Sequence, residues 1–255
     1  MRKTCIRERF AHGAVSLLLA VTVLLALCPF QAEASGGKDS RSRAIAIVFD
    51  NSGSMYIRGN QAWCRATYGI EVFAAMMNEG DSLSVYPMWP IEADGVKYTS
   101  DEPLTVHSGQ SISSIRQMYT PEAGATPIET IQSASEGLKR AQADERWLIV
   151  LTDGDDFYED NRSLGSATTE KLSETLSACS GSMNVMYLGI GKSAIIPEVT
   201  TSGRYTYYAD KASDSQTILA KLTAMSNKIF GRDVLETSGN DVSFDLSMSK
   251  LIVFV

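Results

Sequence analysis

Residues 44–54 read Ala-Ile-Ala-Ile-Val-Phe-Asp-Asn-Ser-Gly-Ser. The continuous apolar run from Ala44 to Phe49 is short, ends abruptly in Asp50 and is followed by the tight polar loop Asn51–Ser54. Such a run suits a strand buried on both faces, the mark of a parallel sheet. The same order recurs at residues 147–154, where Trp-Leu-Ile-Val-Leu runs into Thr-Asp-Gly. Two buried strands therefore end in an aspartate each, Asp50 and Asp153.

Outward from these strands the pattern alternates. Helical spacing between Gln61 and Asn78 puts Trp63, Ile70, Phe73, Ala74 and Met77 on one side. Ser82–Met88 predicts a second strand, with Pro87 marking its end or a sheet edge. Residues 97–106 predict a short third strand and Ser108–Tyr119 a short amphipathic helix. Thr120–Thr126 is a loop, and Pro127 opens a helix that runs to Ala141. After the second aspartate, Asp155–Ser166 reads as a long polar loop. Thr168–Cys179 is helical, Asn184–Ile190 and Tyr205–Ala209 are strands, and Ser215–Phe230 is a final amphipathic helix. Strands alternating with helices predict an α/β fold: a doubly wound, mostly parallel open sheet with helices on both faces. Val242, Phe244, Leu246 and Met248 then alternate and Leu251–Val255 is apolar, the start of a β element.

The first 34 residues read as a signal peptide. Arg2, Lys3, Arg7 and Arg9 precede an apolar stretch from Ala14 to Leu27, and Ala32-Glu33-Ala34 supplies small-x-small before a cleavage point. The apolar stretch is shorter than the roughly 20 residues a membrane-spanning helix needs. The domain plan is then a signal peptide at 1–34, a polar linker at 35–43, an α/β domain at 44–233 and the β-rich extension at 234–255. The plan predicts a secreted or cell-surface protein. Membrane association would come only through an uncleaved signal or an anchor outside these 255 residues.

Charge and composition narrow the function classes. The 44% apolar and 21% charged fractions are those of an ordinary folded protein, which needs no metal as a folding staple. Cleavage takes four of 23 basic and two of 30 acidic residues, leaving a formal charge of −9. Such a surface repels nucleic acid and anionic lipid and favours cations or a basic partner. Cys64 and Cys179 are the cysteines left after cleavage. Export permits a disulfide between them; two buried free thiols are the alternative. His107 is the remaining histidine, which leaves little room for histidine-dependent catalysis.

In a doubly wound sheet, ligands bind beyond the carboxyl ends of the strands. Asp50 and Asp153 fall there together. Ser52 and Ser54 occupy alternate positions of the loop after Asp50, so both hydroxyls can turn toward its carboxylate. Thr126 joins from a third loop. Two carboxylates and three hydroxyls form an all-oxygen shell, suited to a hard cation such as Mg²⁺, with Mn²⁺ and Ca²⁺ as alternatives. Neutral hydroxyl ligands leave the ion much of its charge. A carboxylate from a partner protein can then replace a bound water.

The segments Asp50-Asn51-Ser52-Gly53-Ser54, Gly124-Ala125-Thr126-Pro127 and Thr152-Asp153-Gly154 resemble, in order and spacing, the von Willebrand factor type A domain and its metal-ion-dependent adhesion site. The resemblance covers about Arg43 to Arg232. It implies Asp50, Ser52, Ser54, Thr126 and Asp153 as metal ligands, direct or through water, with no ligand position substituted. It also implies a non-enzymatic adhesion or assembly module. Two other readings use the same features. One is a metal-assisted hydrolase with Asp155, Asp156 or Glu159 as base; the other is a scaffold subunit with an incidental ion. The acidic run from Asp153 to Asp160 lacks the glycine and ligand pattern of an EF-hand, and Gly191-Lys192-Ser193 lacks the first glycine of a phosphate-binding loop.

Overall fold

The computed structural model describes residues 41–57, 62–93, 95–107, 125–154 and 156–231. The signal peptide, residues 35–40 of the linker, the Ser108–Tyr119 helix, residues 120–124, Asp155 and the 234–255 extension lie outside the described residues.

Strands β1 (Arg43–Phe49), β2 (Ser82–Pro87), β5 (Leu104–His107), β6 (Glu145–Thr152), β9 (Asn184–Ile190) and β10 (Tyr207–Ala212) form the main sheet. Their order is β10-β9-β6-β1-β2-β5. All neighbours are parallel except β2 and β5. The mostly parallel sheet expected from the buried runs is therefore present. β1 and β6 sit at its centre and are buried almost throughout.

Alternation along each central strand divides the core into two layers. Ile45, Ile47, Phe49, Ile149 and Leu151 face one side, where they meet helices α2 (Ala62–Met76) and α5 (Ser215–Phe230). Ala44, Ala46, Val48, Leu148, Val150 and Tyr187 face the other, covered by α3 (Glu129–Arg140) and α4 (Thr168–Ser180). Gly69 lets α2 and α5 cross closely: a Cβ there would stand 2.2 Å from Leu222 Cδ1. A short helix, α1 (Gly53–Ile57), follows β1 directly.

Several expected boundaries shift for physical reasons. The strand expected over residues 97–106 is two strands. β4 (Val96–Tyr98) pairs with β3 (Ile91–Ala93) in a hairpin, and β5 pairs antiparallel with β2. The break between β4 and β5 is a turn at Thr99–Glu102, where the Thr99 amide donates to the Glu102 carbonyl and the Thr99 hydroxyl accepts from the Asp101 and Glu102 amides. Gly95, at φ +75°, turns the β3–β4 hairpin. The polar stretch 155–166 holds a second hairpin, β7 (Tyr158–Glu159) with β8 (Arg162–Ser163). Its two-residue turn puts Asp160 and Asn161 at φ 50° and 61°, a conformation that Asp and Asn tolerate. Pro127 bridges to Tyr158, so α3 begins at Glu129 and not at the proline.

β1 also takes in Arg43, which the linker was expected to include. Its side chain is 1% exposed. Its guanidinium pairs with Glu145 at 3.2 Å and Asp81 at 3.8 Å, and lies over the Phe230 ring. The charge is offset by those two carboxylates, which is what allows an arginine to start a buried strand.

The expected alternative of a Cys64–Cys179 disulfide does not hold. Both thiols are free, Cys64 exposed on α2 and Cys179 buried on α4. Their helices cover opposite faces of the sheet, so the sheet itself separates them.

Candidate metal centre

The chain leaves β1 through α2 to reach β2 on one side, while β6 lies on the other side of β1. The carboxyl ends of β1 and β6 therefore flank a topological switch point, where the diverging connections open a crevice. Asp50 and Asp153 stand at that point. The amide of Asp50 donates to the Leu151 carbonyl at 2.9 Å, carrying the strand register one residue further.

Four of the five expected ligands form one chain of hydrogen bonds. The Ser52 amide donates to Asp50 Oδ1 at 3.0 Å. The Ser52 and Ser54 hydroxyls lie 2.9 Å apart, and Ser54 Oγ donates to Asp153 Oδ1 at 2.8 Å. A hydroxyl that gives its proton to a carboxylate keeps its lone pairs for another contact. The arrangement is thus one that hydroxyl ligands of a cation can adopt without breaking their links to the aspartates.

Thr126 is the fifth. It is nearly buried, and its hydroxyl reaches the same place by way of Gly154: a Cβ on Gly154 would stand 2.9 Å from Thr126 Oγ1 and 3.1 Å from Thr152 Oγ1. The glycine leaves a space that hydroxyls border. The Thr126 loop is pinned on both sides. The Tyr158 amide donates to the Thr126 carbonyl at 3.0 Å, and the Trp89 indole donates to the Ala125 carbonyl at 2.6 Å.

Asp50 is completely buried. Burial pushes its carboxyl above the usual aspartate range, against the opposing pull of hydrogen bonds from Ser52, Thr152 and the Asp153 backbone. A buried carboxylate with this environment gains from a neighbouring cation. The donor set is wholly oxygen, two carboxylates and three hydroxyls, and it fits a hard divalent ion. Among the described residues no group of three or more His, Cys, Asp and Glu gathers, so a site here depends on hydroxyls.

Three residues that order the site escaped the sequence reading. Thr152 donates to Asp50 Oδ2 at 2.7 Å and accepts from the Gly154 amide at 2.9 Å. Its place was legible, since it shares a face with Val150 and so with Asp50 beside it. Asn51 clamps the Trp89 backbone, donating to its carbonyl at 3.0 Å and accepting from its amide at 2.9 Å. Nothing in the spacing of Asn51 and Trp89 signals that long-range pair.

Two of the carboxylates considered as a hydrolytic base, Glu159 and Asp156, have other partners. Glu159 pairs with Lys171 at 2.8 Å. Asp156 accepts from the Ser163 and Thr168 hydroxyls and the Gly165 amide, and the Ser163 bond leads in holding it below the usual range.

No protein-family model and no curated protein sequence matches the chain. Solved structures do. The pilus adhesin SpaC of Lactobacillus rhamnosus GG aligns at TM-score 0.52 and 13% identity, over 76% of this chain and 31% of its own. The PilB minor pilin of Streptococcus sanguinis aligns at TM-score 0.52 and 14% identity, over 76% and 62%. A von Willebrand factor type A protein of Catenulispora acidiphila aligns at TM-score 0.51 and 16% identity, over 77% and 44%. The fold is that of a von Willebrand factor type A domain. The chain spans about a third to three fifths of the length of these proteins.

Proposed function

We propose that this chain is an extracytoplasmic protein-binding module for adhesion or assembly, whose switch-point crevice holds a divalent cation. Asp50, Ser52, Ser54, Thr126 and Asp153 would hold the ion, directly or through water. Mg²⁺ is the favoured ion and Mn²⁺ a working substitute. An acidic side chain of a partner protein would complete the shell. The bound ion supplies a positive charge that a carboxylate can reach; the protein supplies its position and the dry floor beneath it.

One observation carries the reading: the aspartates that follow two separate strands are joined at the switch point through the Ser52 amide and the Ser52 and Ser54 hydroxyls. The pilus adhesin and the minor pilin that share the fold support a surface role, as does the basic, apolar, small-x-small start of the chain.

Calorimetric titration of Mg²⁺ and Mn²⁺ into wild type and Asp50→Ala tests it. Binding by wild type and none by the variant, with circular dichroism unchanged, is the expected result. Equal affinity for both proteins overturns the reading.

A further inference from the structure

Among the described residues, the large apolar side chains that stand exposed are Tyr56, Val96 and Ile196, at 48%, 49% and 40%. Single exposed apolar residues are ordinary on a protein surface. Their placement here is not scattered. Each lies in a segment that leaves the carboxyl end of a parallel strand: Tyr56 after β1, Val96 after β2 and Ile196 after β9. That is the edge of the sheet bearing Asp50 and Asp153.

Two of the three are tied closely to the candidate metal centre. Tyr56 is in α1, two residues past Ser54, and its ring meets Trp63 edge-on at 6.3 Å. An aromatic ring held this way loses little freedom when a partner covers it. Ile196 Cδ1 would lie 3.4 Å from a Cβ on Gly189, and Gly189 is in register with Thr152, the residue that bonds Asp50. Neighbouring strands are about 4.8 Å apart, so Ile196 borders the crevice from the β9 side. Val96 stands beside the turn of the β3–β4 hairpin, on the connection that also carries Trp89.

We infer that these side chains form an apolar collar around the ion, and that the partner is a protein segment presenting an acidic side chain flanked by apolar residues. This rests on the ion-binding reading above. Valine and isoleucine offer a hydroxyl-rich glycan no hydrogen bonds, whereas they match apolar protein side chains. Charge complementarity agrees. The chain carries a net charge of −7, and around Val96 the exposed acids Glu92, Asp101 and Glu102 outnumber the one adjacent base, Lys97, which pairs across the hairpin from Glu92, so the partner surface beyond the central carboxylate is neutral or basic.

A phage-displayed library of linear nonapeptides with glutamate fixed at the fifth position, selected on the Mg²⁺-loaded protein, tests the inference. Enrichment of apolar residues beside the glutamate is expected. Tyr56→Ser, Val96→Ser and Ile196→Ser are expected to weaken the winning peptide, at least two of them by about tenfold. Mg²⁺ affinity and thermal midpoint should stay at wild-type values. Selection of charged or polar flanks, no selection despite bound Mg²⁺, or peptide affinity unmoved by all three variants overturns the collar and leaves the ion site standing. Failure of Mg²⁺ to bind in calorimetry instead overturns the reading beneath it.

Discussion

Ser54 Oγ donates to Asp153 Oδ1 at 2.8 Å, joining the start of α1 to the loop after β6. The residues are far apart in the chain, and their meeting follows from the pairing of β1 with β6. The sheet register, not the loops, sets the distance between the two carboxylates. Changes to the floor of the crevice should therefore act on ion affinity while leaving the fold intact.

Thr152 is the first such residue. Its hydroxyl bonds Asp50 Oδ2 from beneath. Thr152→Val keeps the shape and removes the donor. Groups that orient a metal ligand typically matter by about 10–100-fold in metal affinity, so a loss of that size is expected for Mn²⁺ in calorimetry. A Val variant with wild-type affinity would show that Thr152 serves the strand alone.

Gly154 gives a second handle. An added Cβ would stand 2.9 Å from Thr126 Oγ1, closer than ordinary side-chain contacts. Gly154→Ala should push the threonine hydroxyl aside and weaken ion binding by about tenfold or more. Thr126→Ala should do the same by deletion. In the double variant the losses should fall short of additive, since both remove one ligand. Full additivity in the titrations would contradict the shared cause.

The two halves of the structure differed in how openly the chain announced them. Buried runs ending in Asp50 and Asp153 announce the central strands because a strand covered on both faces needs apolar residues at every position. The serines beside Asp50 are legible as site residues, but not their geometry: Ser54 already lies in α1, so the two hydroxyls meet at the turn into that helix and not along extended backbone. Legibility stops where structure depends on distant partners. Residues 97–106 are divided by the turn at Thr99–Glu102 between a hairpin with β3 and a strand on β2, and those partners lie outside the segment. The Asn51–Trp89 clamp spans a gap that no local pattern encodes. Arg43 looks like linker charge until Asp81 and Glu145 are seen beside it.

That buried arginine yields a stability prediction. The Asp81 carboxylate accepts from the amides of Arg43 and Asn78, both at 2.8 Å, besides pairing with the guanidinium. Asp81→Ala removes one of the carboxylates that pair with the buried Arg43 guanidinium. Breaking a buried pair on one side costs about 3–5 kcal/mol. Urea unfolding should show a loss in that range, partly recovered when Arg43→Met is added. A loss under about 1 kcal/mol would mean that the pairing with Asp81 is not what neutralises the arginine.

Asp156 gives the pH dependence. Its carboxylate gathers the Ser163 and Thr168 hydroxyls and the Gly165 amide, bracing the β7–β8 hairpin beside the Thr126 loop. Those bonds, Ser163 first, hold its pKa below the ordinary 3.8. A carboxyl with a lowered folded-state pKa binds fewer protons folded than unfolded through that window, so stability rises with pH there. Its contribution is complete above the ordinary value and fades as pH falls through the lowered one. Asp156→Asn should therefore be less stable than wild type at pH 6, with the gap narrowing as pH falls below the ordinary value of 3.8. Urea melts of both proteins in EDTA across that range provide the measurement. EDTA matters because an ion lost with acid would add its own pH dependence. A gap that keeps its size at every acid pH where wild type still folds would assign the effect of Asp156 to packing and not to its charge.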